Sequence, residues 1–228
     1  MISKDTIMKS VLICLVIVFS FCCSACMYNG NLEKGFYIHE KNSSRLPLKA
    51  YLVFDNTIEN YIYQAQNIYF KHGVRIEVNP GLKTSMISAF QSTFDTLYVA
   101  EKINPESISN YDVLIFPRIE RVGRVVTISI IMKEAANGKI INTYRRSENI
   151  FHKIPISVHI LSSLNIIPFS GLTTPIFAPI NTEIIGAQAE KEVADNFKKS
   201  LTAITDDIKN DQLLTAHAGF KNPKLHND

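Results

Sequence analysis

The sequence predicts an α+β domain with a mainly antiparallel sheet, packed by one mid-chain helix and one C-terminal amphipathic helix. Three stretches carry that prediction. In residues 125–133, Val125-Val126-Thr127-Ile128-Ser129-Ile130-Ile131-Met132-Lys133 alternates as a half-buried strand does, and Asn137-Gly138 follows as the favoured pair for a two-residue type I′ turn. Residues 139–145 then return as its partner; with residues 112–121 in front, this gives a three-strand meander. Asn79-Pro80 is a helix start signal, Asn as cap and Pro at the first helical position, and Leu82, Met86, Ala89, Phe90 and Phe94 follow along one face. Finally, Ala189, Val193, Phe197, Leu201, Ile204 and Ile208 recur at three- and four-residue steps within residues 183–209. Glu190, Lys191, Asp195, Lys198, Lys199 and Asp206 take the other faces.

At the start of the chain, Lys4 and Lys9 precede the uncharged apolar run 11–19, and the small residues Ser24 and Ala25 come just before Cys26. A charged n-region and an apolar h-region are thus followed by a cysteine. In Cys23-Ser24-Ala25-Cys26 the chain resembles the lipobox of bacterial lipoprotein precursors, with Cys23 where leucine is usual and Asp5 unusual in the n-region. The resemblance implies that residues 1–25 are a signal peptide cut after Ala25. Cys26 then carries a diacylglycerol thioether and an acylated amino group. Acyl chains at about 0.8 kcal/mol per buried methylene would hold the protein on the bilayer without spanning it. Of the four cysteines, Cys14, Cys22, Cys23 and Cys26, only Cys26 survives such a cut, so no internal disulfide is expected and thioether attachment explains the odd thiol. A competing reading is an uncleaved membrane anchor over residues 11–28, about the minimum length for a span. In families where Asp after the modified Cys causes inner-membrane retention, Met27 at that place implies the outer membrane.

Removing 25 of the 228 residues would leave 203, enough for one sizeable domain, and losing Lys4, Asp5 and Lys9 takes the formal charge from +3 to +2. That balance gives no reason to expect nucleic acid as a partner. The chain is 46% apolar with 9 Gly and 9 Pro, so it can bury a core. Without tryptophan, its aromatic packing falls to 13 Phe and 9 Tyr.

Residues 26–47 are mostly polar and suit a flexible tether. The folded domain is expected over residues 48–210. Strands are expected at 48–54, 61–65 and 74–78, then the helix of 82–94, a strand at 96–100, and the loop containing Asn104-Pro105-Glu106-Ser107. In the strand 112–121, Pro117 suggests a sheet edge or a bulge. Residues 154–182 contain no Lys, Arg, Asp or Glu and are broken by Pro155, Pro168, Pro175 and Pro179. Their uninterrupted part, 156–167, is too short to span. This segment is either a proline-broken excursion packed over the sheet or a docking surface. Residues 211–228 read as a polar tail that frays.

The six histidines, at 39, 72, 152, 159, 217 and 226, form no metal-ligand spacing. No nucleophile elbow, P-loop or G-x-G-x-x-G fingerprint is present. Neither a catalytic residue, a metal nor a cofactor is therefore expected. Asp55 and Glu59 are the carboxylates best placed for a site, though loop carboxylates are usually solvated. Arg118, Arg121, Arg124, Arg145 and Arg146 gather around the meander. Residues of like parity share a face of a strand, so Arg118 and Arg121 should point opposite ways, and edge charges that block strand addition are the favoured explanation.

Behind a lipobox, this layout over residues 48–209, including the strand 112–118 and the Asn137-Gly138 hairpin, resembles small envelope lipoproteins. Examples are the auxiliary lipoproteins of ABC-type transporters and the lipopolysaccharide-assembly lipoprotein. What the resemblance implies is a non-enzymatic periplasmic accessory, held to the membrane through acyl chains on Cys26 and docking to a membrane or envelope protein complex. The alternative is a lipoprotein that binds a lipid or small molecule in a cleft between helices and sheet. An envelope hydrolase ranks last for want of a nucleophile motif.

Overall fold

A computed structural model of the protein describes residues 27–33, 35–36, 45–66, 73–150 and 174–221. The expected signal peptide of residues 1–25, the expected lipidation site Cys26 and residues 154–173 of the uncharged segment lie outside these described residues. Among them the elements are β1 (Met27–Asn31), β2 (Leu46–Val53), α1 (Asn56–Glu59), β3 (Ile62–Gln66), β4 (Gly73–Glu77), α2 (Asn79–Thr93) and β5 (Phe94–Ala100). They continue with α3 (Pro105–Ile108), β6 (Val113–Val122), β7 (Val125–Glu134), β8 (Ile140–Asn149), α4 (Thr174–Lys209) and α5 (Gln212–Lys221). The architecture is α+β, with two mixed sheets of three and five strands. The chain forms two compact units, and their bounds cut across the single domain expected over 48–210. Within the described residues the first holds 27–31, 62–66, 73–77 and 174–192, and the second holds 32–33, 35–36, 45–61, 78–150 and 193–221.

In the first unit the strand order is β1-β4-β3, with β1 parallel and β3 antiparallel to β4. Strand alternation gives this sheet two unlike faces. Tyr63, Val74 and Ile76 are buried on one, while Asn29, Ile62, Gln64, Arg75 and Glu77 are exposed or half-exposed on the other. The buried face meets α4 closely: a methyl placed on Gly186 would collide with the Tyr28 ring, and one on Gly30 with the Glu190 carboxylate. β1 occupies part of what reads as tether in the sequence. Pairing with β4 supplies the backbone partners that a short polar strand cannot find alone.

The second unit is built on the sheet β5-β2-β6-β7-β8. β6, β7 and β8 form the expected antiparallel meander. β5, β2 and β6 are mutually parallel, so the expectation of a mainly antiparallel sheet holds for only part of it. α2 lies in the connection from β2 to its parallel neighbour β5, where a crossover is needed and a helix is the usual one. It runs directly into β5 at Phe94, where the sequence pattern extended the helix.

Leu82, Met86, Ala89 and Phe90 are buried along α2, and Val193, Phe197, Leu201, Ile204 and Ile208 along α4, on the predicted stripes. The core lies on the sheet face bearing Leu48, Ala50, Leu52, Val113, Ile115, Ile119, Val126, Ile128, Ile130, Met132 and Tyr144, which the strand register groups together. Phe197 meets Phe36 and Tyr61 with ring centroids 6.0 and 6.1 Å apart.

Several local expectations change. Asn79 is the first residue of α2 and not its cap. Val78 holds the cap position with helical backbone, and the Asn79 amide donates to the Glu59 carbonyl. The two-residue turn lies between β6 and β7, where Gly123-Arg124 joins Val122 to its partner Val125 and Gly123 takes φ +61°. The Asn137-Gly138 loop is longer: Glu134 N–H donates to Lys139 O at 2.8 Å, and Gly138 takes φ +71° within it. Pro117 sits on an inner strand, yet β6 pairs with β2 only from Val113 to Ile115, so its missing N–H falls beyond the ladder. Residues 174–182, read as part of an irregular excursion, are the first turns of α4. The expected polar tail contains α5, with Leu214 fully buried.

Candidate functional site

The two carboxylates singled out by their position are absorbed by local structure. Asp55 caps α1, accepting from Thr57 N–H at 2.9 Å and from the Thr57 hydroxyl, and its other oxygen lies 3.4 Å from Arg118 Nε. Glu59 pairs with Lys83 at 3.5 Å. An Asp at a helix start satisfies amides that the helix itself cannot.

The arginines do not converge. Arg118 and Arg121 fall on opposite faces of β6, as alternation requires. Arg118, Ser129 and Arg145 form one cross-strand row, and Arg145 reaches Glu120 at 3.4 Å. Arg146 points to the other face and pairs with Asp207. Arg121 Nε donates to Gly123 O at 2.8 Å. Only Arg145 and Arg146 lie on an edge strand, so edge protection explains two of the five. Among the described residues no three His, Cys, Asp or Glu side chains are grouped as a metal site requires, and no helix is long and apolar enough to cross a membrane.

Asp211 is a carboxylate held by several donors at once. It accepts from Tyr144 Oη at 2.5 Å, from Asn142 Nδ2 at 2.6 Å and, at the start of α5, from Leu213 N–H at 2.8 Å. Burial works to raise its pKa, but the hydrogen bonds from Tyr144, Asn142 and the backbone outweigh it and the net direction is down. Burial and the adjacent Asp211 carboxylate push the Tyr144 hydroxyl well above the usual phenol range. This is a clasp joining β8 to α5, and its polar atoms satisfy one another.

The sheet face opposite the core carries a different patch. Tyr51, Val53, Leu114 and Ala135 are buried there, with Ala100, Ile108, Tyr111 and Phe116 packed around them. Tyr51, Tyr98 and Tyr111 form a ring triad with centroids 5.0, 5.2 and 5.8 Å apart. Burial, and then the neighbouring tyrosines, raise the Tyr111 pKa. The Tyr51 hydroxyl donates to Lys102 O at 3.1 Å and accepts from Asn104 N–H at 3.3 Å. Tyr98 is 49% exposed and Ile103 45%, so aromatic and apolar surface reaches solvent beside β5.

β5 is an edge strand whose only charge is Asp95, whereas the opposite edge, β8, carries Arg145, Arg146 and Glu148. At the start of β5 an open groove of about 410 Å³ is lined by Arg45, Ser88, Gln91, Phe94, Asp95, Thr96 and Leu97. Between α4 and the meander, the space lined by Val126, Ile128, Ile150 and Phe197 leaves no room for a water-sized molecule. The tyrosine triad escaped sequence reasoning because its members lie on three separate elements with no common spacing. Asp211 was more accessible, being a capping residue type just before Gln212-Leu213-Leu214.

No family model matches the chain, and no curated protein matches it. Among solved structures it is similar to the crystal structure of protein XCC0632 from Xanthomonas campestris, described by the family model DUF330. Identity is 8% and the TM-score 0.38, covering 75% of this chain and 98% of that one. A likeness that distant carries no argument about fold or function.

Proposed function

We propose that the protein is a lipid-anchored, non-enzymatic accessory lipoprotein of the bacterial envelope, held in the outer membrane by acyl chains on Cys26 and facing the periplasm. The observation that carries this is the stretch Cys23-Ser24-Ala25-Cys26 behind an uncharged apolar run. The strand β1 (Met27–Asn31) supports it, since a cut before Cys26 spares every described residue of the first sheet. An envelope protein complex is the partner this reading assigns. The outer edge of β5 is the described surface that suits docking best: it is nearly uncharged and flanked by exposed Tyr98 and Ile103, where a guarded edge would carry lysine or proline. Tethering raises the local concentration of this edge near a membrane partner without adding a contact.

The test is mass spectrometry and membrane fractionation of the native protein and of Cys26→Ala, with a photo-crosslinking residue placed at Tyr98 in cells. Acyl mass on Cys26, outer-membrane retention lost in Cys26→Ala, and one envelope protein captured from Tyr98 are expected, with capture reduced by Thr96→Lys. A native protein still beginning at Met1, or free of the membrane, overturns the anchor. Acylated protein that retains a lipid or small molecule and captures no partner turns the reading to the ligand-binding alternative.

A further inference from the structure

We infer that the three-stranded sheet of the first unit is the protein's membrane-contact element, its Met27–Gly73 end held in the headgroup layer of a phospholipid bilayer. This rests on the lipid anchor proposed above. The first paired residue is Met27, adjacent in the chain to Cys26, and it pairs with Gly73 on β4. No free tether separates the anchor from the fold. Cα atoms of neighbouring residues are about 3.8 Å apart, so the acylated cysteine brings this end of the sheet with it. Residues distant in sequence come too: β4 begins at Gly73, and β3 ends at Gln66, which pairs with Gly73.

The open face of the sheet is ordered in a way that suits this orientation. Register places Met27 with Gly73 in a first row, Asn29 with Arg75 and Gln64 in a second, and Asn31 with Glu77 and Ile62 in a third. The first described row is uncharged, with Met27 46% exposed. The second carries the exposed cation Arg75, which no carboxylate among the described residues pairs, and the third carries the exposed anion Glu77. At about 3.3 Å per residue, Arg75 stands roughly 7 Å and Glu77 roughly 13 Å along the strand from the anchored end. Apolar group, cation, anion is the order met on leaving a bilayer through its phosphates, where a basic side chain is attracted and an acidic one repelled.

The chain has no tryptophan, so single-tryptophan reporters have no background. Full-length acylated protein carrying Met27→Trp, Gln64→Trp, Asn31→Trp or Ile62→Trp would be reconstituted in phospholipid vesicles containing brominated acyl chains. The Met27→Trp signal should be quenched most and Gln64→Trp next, while Asn31→Trp and Ile62→Trp keep most of theirs. Acylated protein with equal quenching at all four positions, or with Ile62→Trp quenched above Gln64→Trp, overturns the orientation and leaves the anchor standing. Protein without acyl mass on Cys26 overturns both.

Discussion

Gly186 shows how a single missing methyl fixes a contact in the first unit. In a helix interior, Gly→Ala ordinarily gains up to about 1 kcal/mol. Here the added carbon would run into the Tyr28 ring, and overpacking typically costs about 1–3 kcal/mol. Gly186→Ala should therefore destabilise the protein in denaturant titration despite its better helix propensity. Burial and the hydrogen bond to Glu190 push the Tyr28 hydroxyl up to about 12. A raised folded pKa contributes stability that is fully present below the unfolded value near 10 and fades as pH climbs towards 12. Tyr28→Phe should flatten that alkaline loss.

Asp211 has the opposite sign, its folded pKa lying below the unfolded value of about 3.9. Its contribution is complete above that value and disappears as pH falls through the folded one. Asp211→Ala removes a helix cap and leaves Tyr144 and Asn142 without their acceptor, which should cost about 2 kcal/mol near neutral pH. Denaturation curves of wild type and variant should draw together as the solution is acidified.

At the scale of elements, the loops separate what conformation demands from what packing demands. Gly138 is left-handed with nothing within 4 Å of a would-be side chain, so Gly138→Ala pays only backbone strain, about 1–2 kcal/mol. Urea titration should find a loss of that size with an unchanged slope, because no surface is added or removed. The turn pairs also show what the residues made legible. Strand alternation announced β7, and three- and four-residue spacing announced α2 and α4, because each of these elements buries one face. Asn137-Gly138 announced a turn but not its length, which Asn137 helps to set by bonding Lys139 N–H and the Glu134 carboxylate. β1 was illegible, since Met27-Tyr28-Asn29-Gly30-Asn31 is a strand only through its partner β4. The parallel order of β5, β2 and β6 was hidden for the same reason: pairing partners distant in sequence leave no local trace.

For the molecule as a whole, the candidate site divides the same way. The lipobox-like stretch Cys23-Ser24-Ala25-Cys26 is contiguous, so the proposal built on it needs only the sequence, whereas the tyrosine triad needs three elements to meet. Cys26→Ser should leave the fold's stability unchanged while abolishing membrane retention, read by thermal unfolding beside fractionation. On the lipid anchor proposed above, the start of β1 at Met27 would also set an order of events during export. A protease cutting between Ala25 and Cys26 would need extended chain on both sides of that bond, and a strand already laid against β4 would be unavailable to it. Synthesis at about 5–20 residues per second separates the emergence of Met27 and Gly73 by a few seconds. Under that proposal maturation would have to win the race, so slowing the peptidase should accumulate a precursor that has folded beyond rescue.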